Sequence, residues 1–126
     1  RAIVVTTPNL TSLRDADKVI GILKSYRLDK INLVINRIRG DLIMCKKMMN
    51  PKDIESMLKI PLIGVVPEED NVFLSSGYRL PKDSESWKSY SVLAGNLHYG
   101  KEKILDLTDK YSGFFGSIRR SIKRSI

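Results

Sequence analysis

The sequence predicts an α/β fold built on a parallel sheet. Three runs of aliphatic, mostly β-branched residues lie at positions 2–7, 31–35 and 61–66, and each has the length and composition of a buried strand. After each run, apolar residues recur every three or four positions, as they do along one face of a helix. Because strands that alternate with helices pair in the same direction through right-handed crossovers, these segments should form one parallel sheet with flanking helices.

The first strand, AIVVTT at residues 2–7, is a continuous β-branched run, so we expect both of its faces to be covered. Pro8 ends it. Ser12 and Asp15 have the spacing of a capping box, which predicts the start of the first helix there. The apolar positions that share one face of this helix are Leu13, Ala16, Val19, Ile20 and Leu23.

The second strand, INLVI at residues 31–35, should close at Asn36 and Arg37. The crossover that follows, GDLIMCKKMM, should be partly helical. Asn50 is a good helix cap, since Pro51 occupies the first turn and an aspartate lies three residues after the cap.

The third strand, PLIGVV, ends at the polar turn 67–70, and another helix should begin near Asn71. Residues 77–85 are polar and turn-like. A last core helix is expected from about Ser86 to Leu97, with Gly100 at its end.

The composition is that of one globular domain: 126 residues, 42% hydrophobic and 29% charged. The single cysteine, Cys45, rules out a disulfide framework and indicates a reducing compartment. The longest apolar runs have the length of strands, too short to cross a bilayer. Because the chain opens directly in a strand, we expect it to be the C-terminal part of a longer protein.

The positive charge is concentrated near the end of the chain. The net charge is +8, and residues 110–126 hold five lysines and arginines and no acid. We therefore divide the chain into a domain at residues 1–109 and a basic tail at residues 110–126, where an acidic partner should be sought first.

The tail has the pattern of an amphipathic helix. On a helical wheel, Tyr111 falls on the same side as the apolar residues, and the cations fall on the other side. The residues assigned to this pattern are Phe114, Phe115, Ile118, Arg119, Arg120, Ile122, Lys123, Arg124 and Ile126. Three readings fit: a helix docked on its own domain with its cations in water, a nucleic-acid tail, or a helix lying in a membrane interface. Only the membrane uses both sides of the helix, which makes nucleic acid an unlikely ligand.

Polar side chains follow the strands at the sheet edge where ligands of parallel α/β proteins bind. Asn36 could read a nucleobase through its amide, and Arg37 could stack on a flat ring or pair with an acid. The loop at Pro67 could supply a ring wall. The alternative for each loop is an ordinary solvated turn.

Catalytic signatures are absent from this sequence. It contains no GxxxxGK[ST] phosphate loop and no cysteine, histidine and acid cluster with metal-ligand spacing. His98 has no nucleophile beside it and is best explained as a surface or satisfied histidine. We assign no catalytic and no metal-binding residue to this stretch.

The ordered motifs resemble the C-terminal half of the MinD family, the septum site-determining ATPases of the deviant Walker-A ParA/MinD type. The resemblance covers nearly the whole chain and rests on VVTTP, SLRDADKVIGIL, INLVINRIR, a Met-Met helix, PLIGVVPEED, two serines and the basic amphipathic end. It implies a doubly wound, mainly parallel sheet of the P-loop NTPase type with a C-terminal membrane-targeting helix. It departs from the family at Asn9, where a glutamate is common, and in residues 77–90.

The resemblance also implies roles for named residues. Asn36 and Arg37 match the adenine-recognition pair of the family, and Pro67 and Glu68 match its second adenine loop. The helix start with Ser12, Asp15 and Asp17 matches the surface near the dimer and its partners.

The function implied is that of a bacterial ATPase that binds ATP and Mg²⁺ as the full-length protein, dimerises, and lies peripherally on the inner face of the cell membrane. The implied partners are anionic phospholipid, a second copy, a MinC-like division inhibitor and, in some bacteria, a MinE-like activator. Lacking the phosphate loop, this stretch should be inactive alone. The alternatives are a ParA-type DNA-partitioning ATPase and a non-catalytic interaction module.

Overall fold

The computed structural model, which describes residues 1–74 and 79–125, contains a three-stranded parallel sheet in the order β1-β2-β3. The strands are β1 (Ala2–Thr6), β2 (Ile31–Ile38) and β3 (Leu62–Pro67). In the register, Val4 lies beside Leu33. The predicted α/β class with a parallel sheet is confirmed.

Six helices and a short 3₁₀ turn complete the described residues. The helices are α1 (Leu10–Ser25), α2 (Gly40–Met44), α3 (Pro51–Leu58), α4 (Asp70–Leu74), α5 (Glu85–Tyr99) and α6 (Gly113–Ser125), and the turn is Asp109–Tyr111. As predicted, Asn50 caps α3 and Gly100 ends α5, with a φ of 66°. The polar segment expected at 77–85 is described only from residue 79 onward.

Helices cover both faces of β3. On one face, α1 and α3 enclose the core, in which Leu13, Ile35 and Ile54 are almost completely buried. On the other face, α5 packs so closely that a Cβ at Gly64 would lie 2.8 Å from Leu93 Cδ1. Consecutive residues of β3 point to opposite faces of the sheet, and each face packs against a helix. The strand therefore lies in the middle layer of a helix–sheet–helix arrangement.

The expectation that β1 is covered on both faces was wrong. Val4 and Thr6 are buried against α1, but Ile3 and Val5 on the opposite face are 43% and 61% exposed. The reason is position: β1 is the edge strand of the sheet, and α5 packs chiefly on β3, two strands away. A β-branched run alone therefore does not establish two covered faces.

The predicted capping box at Ser12 and Asp15 was also wrong. The helix begins earlier, at Leu10, and Asn9 is its cap because the Asn9 side chain accepts a hydrogen bond from the Ser12 N–H at 2.9 Å. Ser12 and Asp15 therefore lie inside the first turns of α1. An asparagine cap competes well with serine, which explains the shifted start.

Strand β2 continues past its predicted end. Asn36 and Arg37 were expected in a loop, but they lie in an irregular final stretch, where the register with β3 shifts between Ile35 and Ile38. Arg37 has a φ of 59°, in the left-handed region. This turns the polar pair out of the regular ladder at the edge where ligands of such sheets bind.

Candidate functional site

Polar contacts order the ends of the strands at one edge of the sheet. The Asn9 amide donates to Thr7 Oγ1 at 2.6 Å, and the Thr7 hydroxyl donates to Ser12 Oγ at 2.8 Å. These bonds fix the loop after β1 against the first turn of α1.

Asn36 stands beside this loop. It lines a recess of about 280 Å³ together with Thr6, Thr7, Ser12 and Asp15. The Asn36 Oδ1 accepts from the backbone N–H of Arg37 at 2.8 Å, which holds the amide in one orientation and keeps its NH₂ group as a potential donor to a base.

Arg37 and Glu68 join the ends of β2 and β3. Arg37 Nη2 lies 2.6 Å and Arg37 Nε 3.0 Å from Glu68 Oε1. The Glu68 N–H also donates to the Ile38 carbonyl at 2.9 Å, which continues the ladder beyond Pro67. The two charged side chains are 67% and 37% exposed, so their attraction is worth about 1 kcal/mol at most and a ligand can replace it.

A second recess of about 250 Å³ lies at the same edge, lined by Pro8, Asn9, Arg37 and Glu68 among others. The four residues predicted for adenine are thus brought to the ends of two adjacent strands. An amide, a guanidinium and a proline wall are chemically suited to a flat nitrogenous ring.

The residues predicted for a dimer or partner surface lie on α1 beside this edge. Ser12 and Asp15 line the first recess. Asp15 is 67% exposed and pairs with Lys18 at 3.6 Å, and Asp17 is exposed. Asp15 is therefore accessible at the recess, whereas Asp17, about 200° further around α1, does not line it.

The tail forms a helix whose nonpolar side is exposed. Phe114, Phe115, Ile118 and Ile122, here called the apolar stripe, are 78%, 77%, 45% and 57% exposed. Arg119 is exposed as well. Ile126, which completes the predicted set, lies outside the described residues, as does the side chain of Arg124.

The polar side of α6 faces the domain. Arg120 donates to the Tyr111 carbonyl, and Lys123 Nζ donates to the Tyr111 hydroxyl at 3.2 Å. Lys123 Nζ also lies 4.0 Å from Asp41 Oδ1. A helix docked by its nonpolar side with its cations in water would have the opposite orientation, so that reading of the tail does not describe this structure.

Tyr111 departs from its predicted place on the wheel. It lies in the 3₁₀ turn before α6 and is only 5% exposed, so it belongs to the domain side of the tail. The wheel placed it with the apolar residues because it assumed an unbroken helix from residue 111.

Sequence reasoning missed Asp41, whose side chain is 1% exposed. Burial acts to raise the pKa of Asp41, but the hydrogen bond from Arg39 at 2.8 Å and the positive charges of Arg39 and Lys123 together outweigh it and hold that pKa below its ordinary value. Nothing in the local pattern signals an acid buried at the start of a five-residue helix, because the neighbours that cover it are distant in sequence.

Neither a metal site nor a membrane span is found in the described part of the chain. Residues 1–74 and 79–125 hold no group of three or more histidine, cysteine or acidic side chains placed to bind a metal ion. Among the same residues, no helix combines the length and the hydropathy needed to cross a bilayer.

Comparison with known proteins decides the family. No protein-family model matches the chain. It is 35% identical over 129 residues to the putative septum site-determining protein MinD of Mesostigma viride, a match that covers 98% of the chain and 45% of that relative. The chain belongs to the MinD family. It corresponds to the C-terminal part and spans about half the length of the curated relatives that it matches.

Two solved MinD structures share the fold. In the MinC:MinD cell division protein complex of Aquifex aeolicus, the match has a TM-score of 0.75 and 28% identity, and covers 83% of the chain and 45% of the solved one. The cell division ATPase MinD of Pyrococcus furiosus matches with a TM-score of 0.67 and 25% identity over 79% and 42% of the two chains. The doubly wound, P-loop NTPase-like architecture expected for the MinD family is thereby confirmed.

Proposed function

We propose that this chain is the C-terminal part of a MinD-like ATPase that dimerises with ATP, binds the inner face of the cell membrane through α6 and helps to place the division septum. The observation that carries the proposal is the orientation of α6, with its apolar stripe exposed and its cations turned to the flank and the domain. A nonpolar strip bordered by cations suits the headgroup boundary of an anionic bilayer.

The nucleotide proposal rests on the strand-end residues. Asn36 and Arg37 would hold the adenine, with Pro67 and Glu68 beside it. The phosphates and Mg²⁺ would be held by residues outside this chain, which has no phosphate loop. ATP would be the substrate that the full-length protein hydrolyses. The residues of this chain would bind and orient its base. The chain alone is therefore expected to be inactive.

Partners are proposed for the surface on α1. Ser12 and Asp15 line the recess at the proposed nucleotide edge, where a second copy or a regulatory protein would sense the bound nucleotide, and Asp17 is exposed further along the same helix. A MinC-like inhibitor is supported by the MinC:MinD complex of the similar Aquifex protein. A MinE-like activator would use the same surface.

Magnitudes explain why dimerisation would control membrane residence. Each cation near an anionic surface contributes on the order of 1 kcal/mol, and each partly inserted side chain about the same or somewhat more. Ordering the segment costs roughly 2–5 kcal/mol. One tail therefore binds weakly and reversibly, whereas two tails on one dimer bind far more tightly because the second insertion is intramolecular.

The membrane role is tested on the full-length protein with vesicles of anionic phospholipid. Ile118→Asp or Ile122→Asp should weaken ATP-dependent binding at least about tenfold, because a carboxylate in the stripe repels lipid and resists insertion. Met57→Asp, which adds the same charge at an exposed residue of α3, is the matched control and should bind as the parent does.

Nucleic acid is the competing ligand, and a DNA-binding measurement on the same variants separates the two. Vesicle binding should fall with salt while any DNA binding stays unchanged by the two substitutions. A parent protein that ignores anionic vesicles but binds DNA through the tail would refute the membrane proposal and favour a partitioning ATPase.

A further inference from the structure

The tail is held by contacts on its polar side, and these contacts converge on Tyr111. The Tyr111 carbonyl accepts from Arg120, its hydroxyl accepts from Lys123, and the Lys123 ammonium lies 5.7 Å from the centre of its ring. A Cβ at Gly116 would collide with the Tyr111 backbone, so the first turn of α6 lies directly against this residue. Successive turns of α6 thus contact one buried tyrosine.

Tyr111 is in turn fixed to the domain. Its ring packs at Gly40, where a Cβ would lie 3.1 Å from Tyr111 Cδ2 and would collide with the Leu107 carbonyl. The next residue after Gly40 is Asp41, buried and paired with Arg39. Tyr111 and Asp41 together form what we call the dock.

Lys123 connects the helix to both members of the dock. Its 4.0 Å separation from Asp41 is too long for a hydrogen bond, but Asp41 is 1% exposed and the Lys123 side chain 40% exposed, so solvent screens the attraction between the opposite charges only in part. Both carboxylate oxygens of Asp41 already accept hydrogen bonds from Arg39. Its negative charge can therefore attract Lys123 without a direct hydrogen bond between the two.

We infer that the dock positions α6, holding its cationic side against the domain so that the apolar stripe is preformed and faces outward for lipid. The stripe then belongs to an ordered helix before any membrane is met, and the ordering cost of insertion is reduced. Asp41 is a positioning residue in this account: it touches the helix and never the membrane. The vesicle part of the inference rests on the proposed membrane function, whereas the dock itself does not.

The dock is tested without lipid, by hydrogen exchange of the α6 backbone amides in the full-length protein. Lys123→Gln and Arg119→Gln are a matched pair, since each removes one cation from α6 but only Lys123 reaches the dock. Lys123→Gln should speed exchange by about fivefold, as expected for one lost contact of about 1 kcal/mol, while Arg119→Gln should leave it unchanged. Amides of the parent that exchange as fast as an unfolded peptide, or two variants that behave alike, would overturn the inference.

Vesicle binding then tests the positioning role, because general electrostatics and the dock predict opposite effects of the same substitution at Asp41. General electrostatics predicts that Asp41→Asn, which removes a negative charge, tightens binding to anionic vesicles. The dock predicts about fivefold weaker binding, because the helix must then be ordered on the membrane. Unchanged or tighter binding would overturn the positioning role.

The matched pair guards against an Asp41→Asn protein that folds poorly. Lys123→Gln should weaken vesicle binding more than Arg119→Gln, whereas charge alone predicts equal losses, and equal losses would count against the dock. If the parent ignores vesicles but its α6 amides are protected in a Lys123-dependent way, the membrane proposal fails and the dock stands.

Discussion

At the scale of single residues, buried polar side chains hold the path of the chain into the tail. Asn96 is only 4% exposed; its amide donates to the Ile63 carbonyl at 2.8 Å and to the Lys103 carbonyl at 2.7 Å, and its Oδ1 accepts from the Lys103 N–H at 3.3 Å. One side chain on α5 thus joins β3 to the segment that leads to Leu107 and Tyr111. The placement of the dock depends on this junction.

Asn96→Ala should lower the free energy of unfolding by about 2 kcal/mol, because it leaves two partly buried carbonyl groups without their donors. Chemical denaturation monitored by circular dichroism measures the loss. Ser91→Ala, at an exposed position of the same helix, is the control and should stay within about 0.5 kcal/mol of the parent. An equally small effect of Asn96→Ala would show that the junction adds nothing to stability.

At the scale of elements, helix α5 begins on a carboxylate from another segment. Ser84 Oγ accepts from the Trp87 N–H at 3.1 Å, and the two oxygens of Glu69 accept from the N–H groups of Glu85 and Ser86 at 3.2 and 2.9 Å. Burial acts to raise the pKa of Glu69, but the hydrogen bonds from Ser86 and Glu85 outweigh it and hold that pKa below its ordinary value. The loop after β3 therefore fastens the start of α5.

Acid should loosen this start. A carboxyl group whose pKa is lowered by folding stabilises the protein above the pKa of the unfolded chain, and the stabilisation is lost as the pH falls through the folded pKa. We expect Glu69→Gln to cost about 1–2 kcal/mol at neutral pH and to make the acid-side decline in unfolding free energy shallower than in the parent. Denaturation at several pH values measures both effects.

Glu102→Gln, at an exposed position, is the control for this pH experiment and should follow the parent curve. If the Glu69→Gln and parent curves ran parallel down to low pH, the fastening of α5 by an ionised Glu69 would be wrong.

Elements were predictable from the sequence where local pattern decides them. The periodicity of Leu13, Ala16 and Ile20 identified α1, and the β-branched runs identified the strands, because these signals depend only on neighbours in the chain. The cap of α1 and the end of β2 were missed, since Asn9 competes with Ser12 for the helix start and the register shift near Arg37 depends on pairing with β3.

The candidate site was predictable to a similar degree. The positions of Asn36 and Arg37 at the sheet edge were predicted because strand ends of a parallel sheet meet there, and Glu68 was named through the family resemblance; their role in binding a base stays a prediction. The dock was not found, because the burial of Asp41 and Tyr111 depends on the return of residues 100–111 across α2, a contact that no local pattern encodes.

At the scale of the whole molecule, the sheet edge proposed for the nucleotide and the tail share a short segment. Asn36 and Arg37 lie at the end of β2, and Arg39, Gly40 and Asp41 follow within five residues. A cavity of about 550 Å³ beside this segment is lined by Pro67 and Glu68 on one side and by Tyr111 and Lys123 on the other. The surface proposed for adenine and the surface that holds α6 are therefore adjacent parts of one structure.

The opposite side of the molecule carries an open sheet edge. β1 pairs with β2 alone in the three-stranded sheet, so one row of its backbone groups has no strand partner in the described residues, and Ile3 and Val5 are exposed beside it. An apolar, unpaired edge of this kind is a template for pairing with another chain. The 126-residue chain produced by itself should therefore self-associate.

Val5→Lys should reduce this self-association, because a charge on the exposed face of an edge strand opposes edge-to-edge pairing. We expect the parent chain to elute as oligomers in size-exclusion chromatography with light scattering, and the Val5→Lys chain to shift at least severalfold toward monomer. Val19→Lys, at a residue of α1 that is 46% exposed and away from the sheet edge, should leave the oligomers unchanged. A parent chain that is monomeric and melts in one sharp transition would show that β1 is protected in a way that this arrangement of strands does not provide.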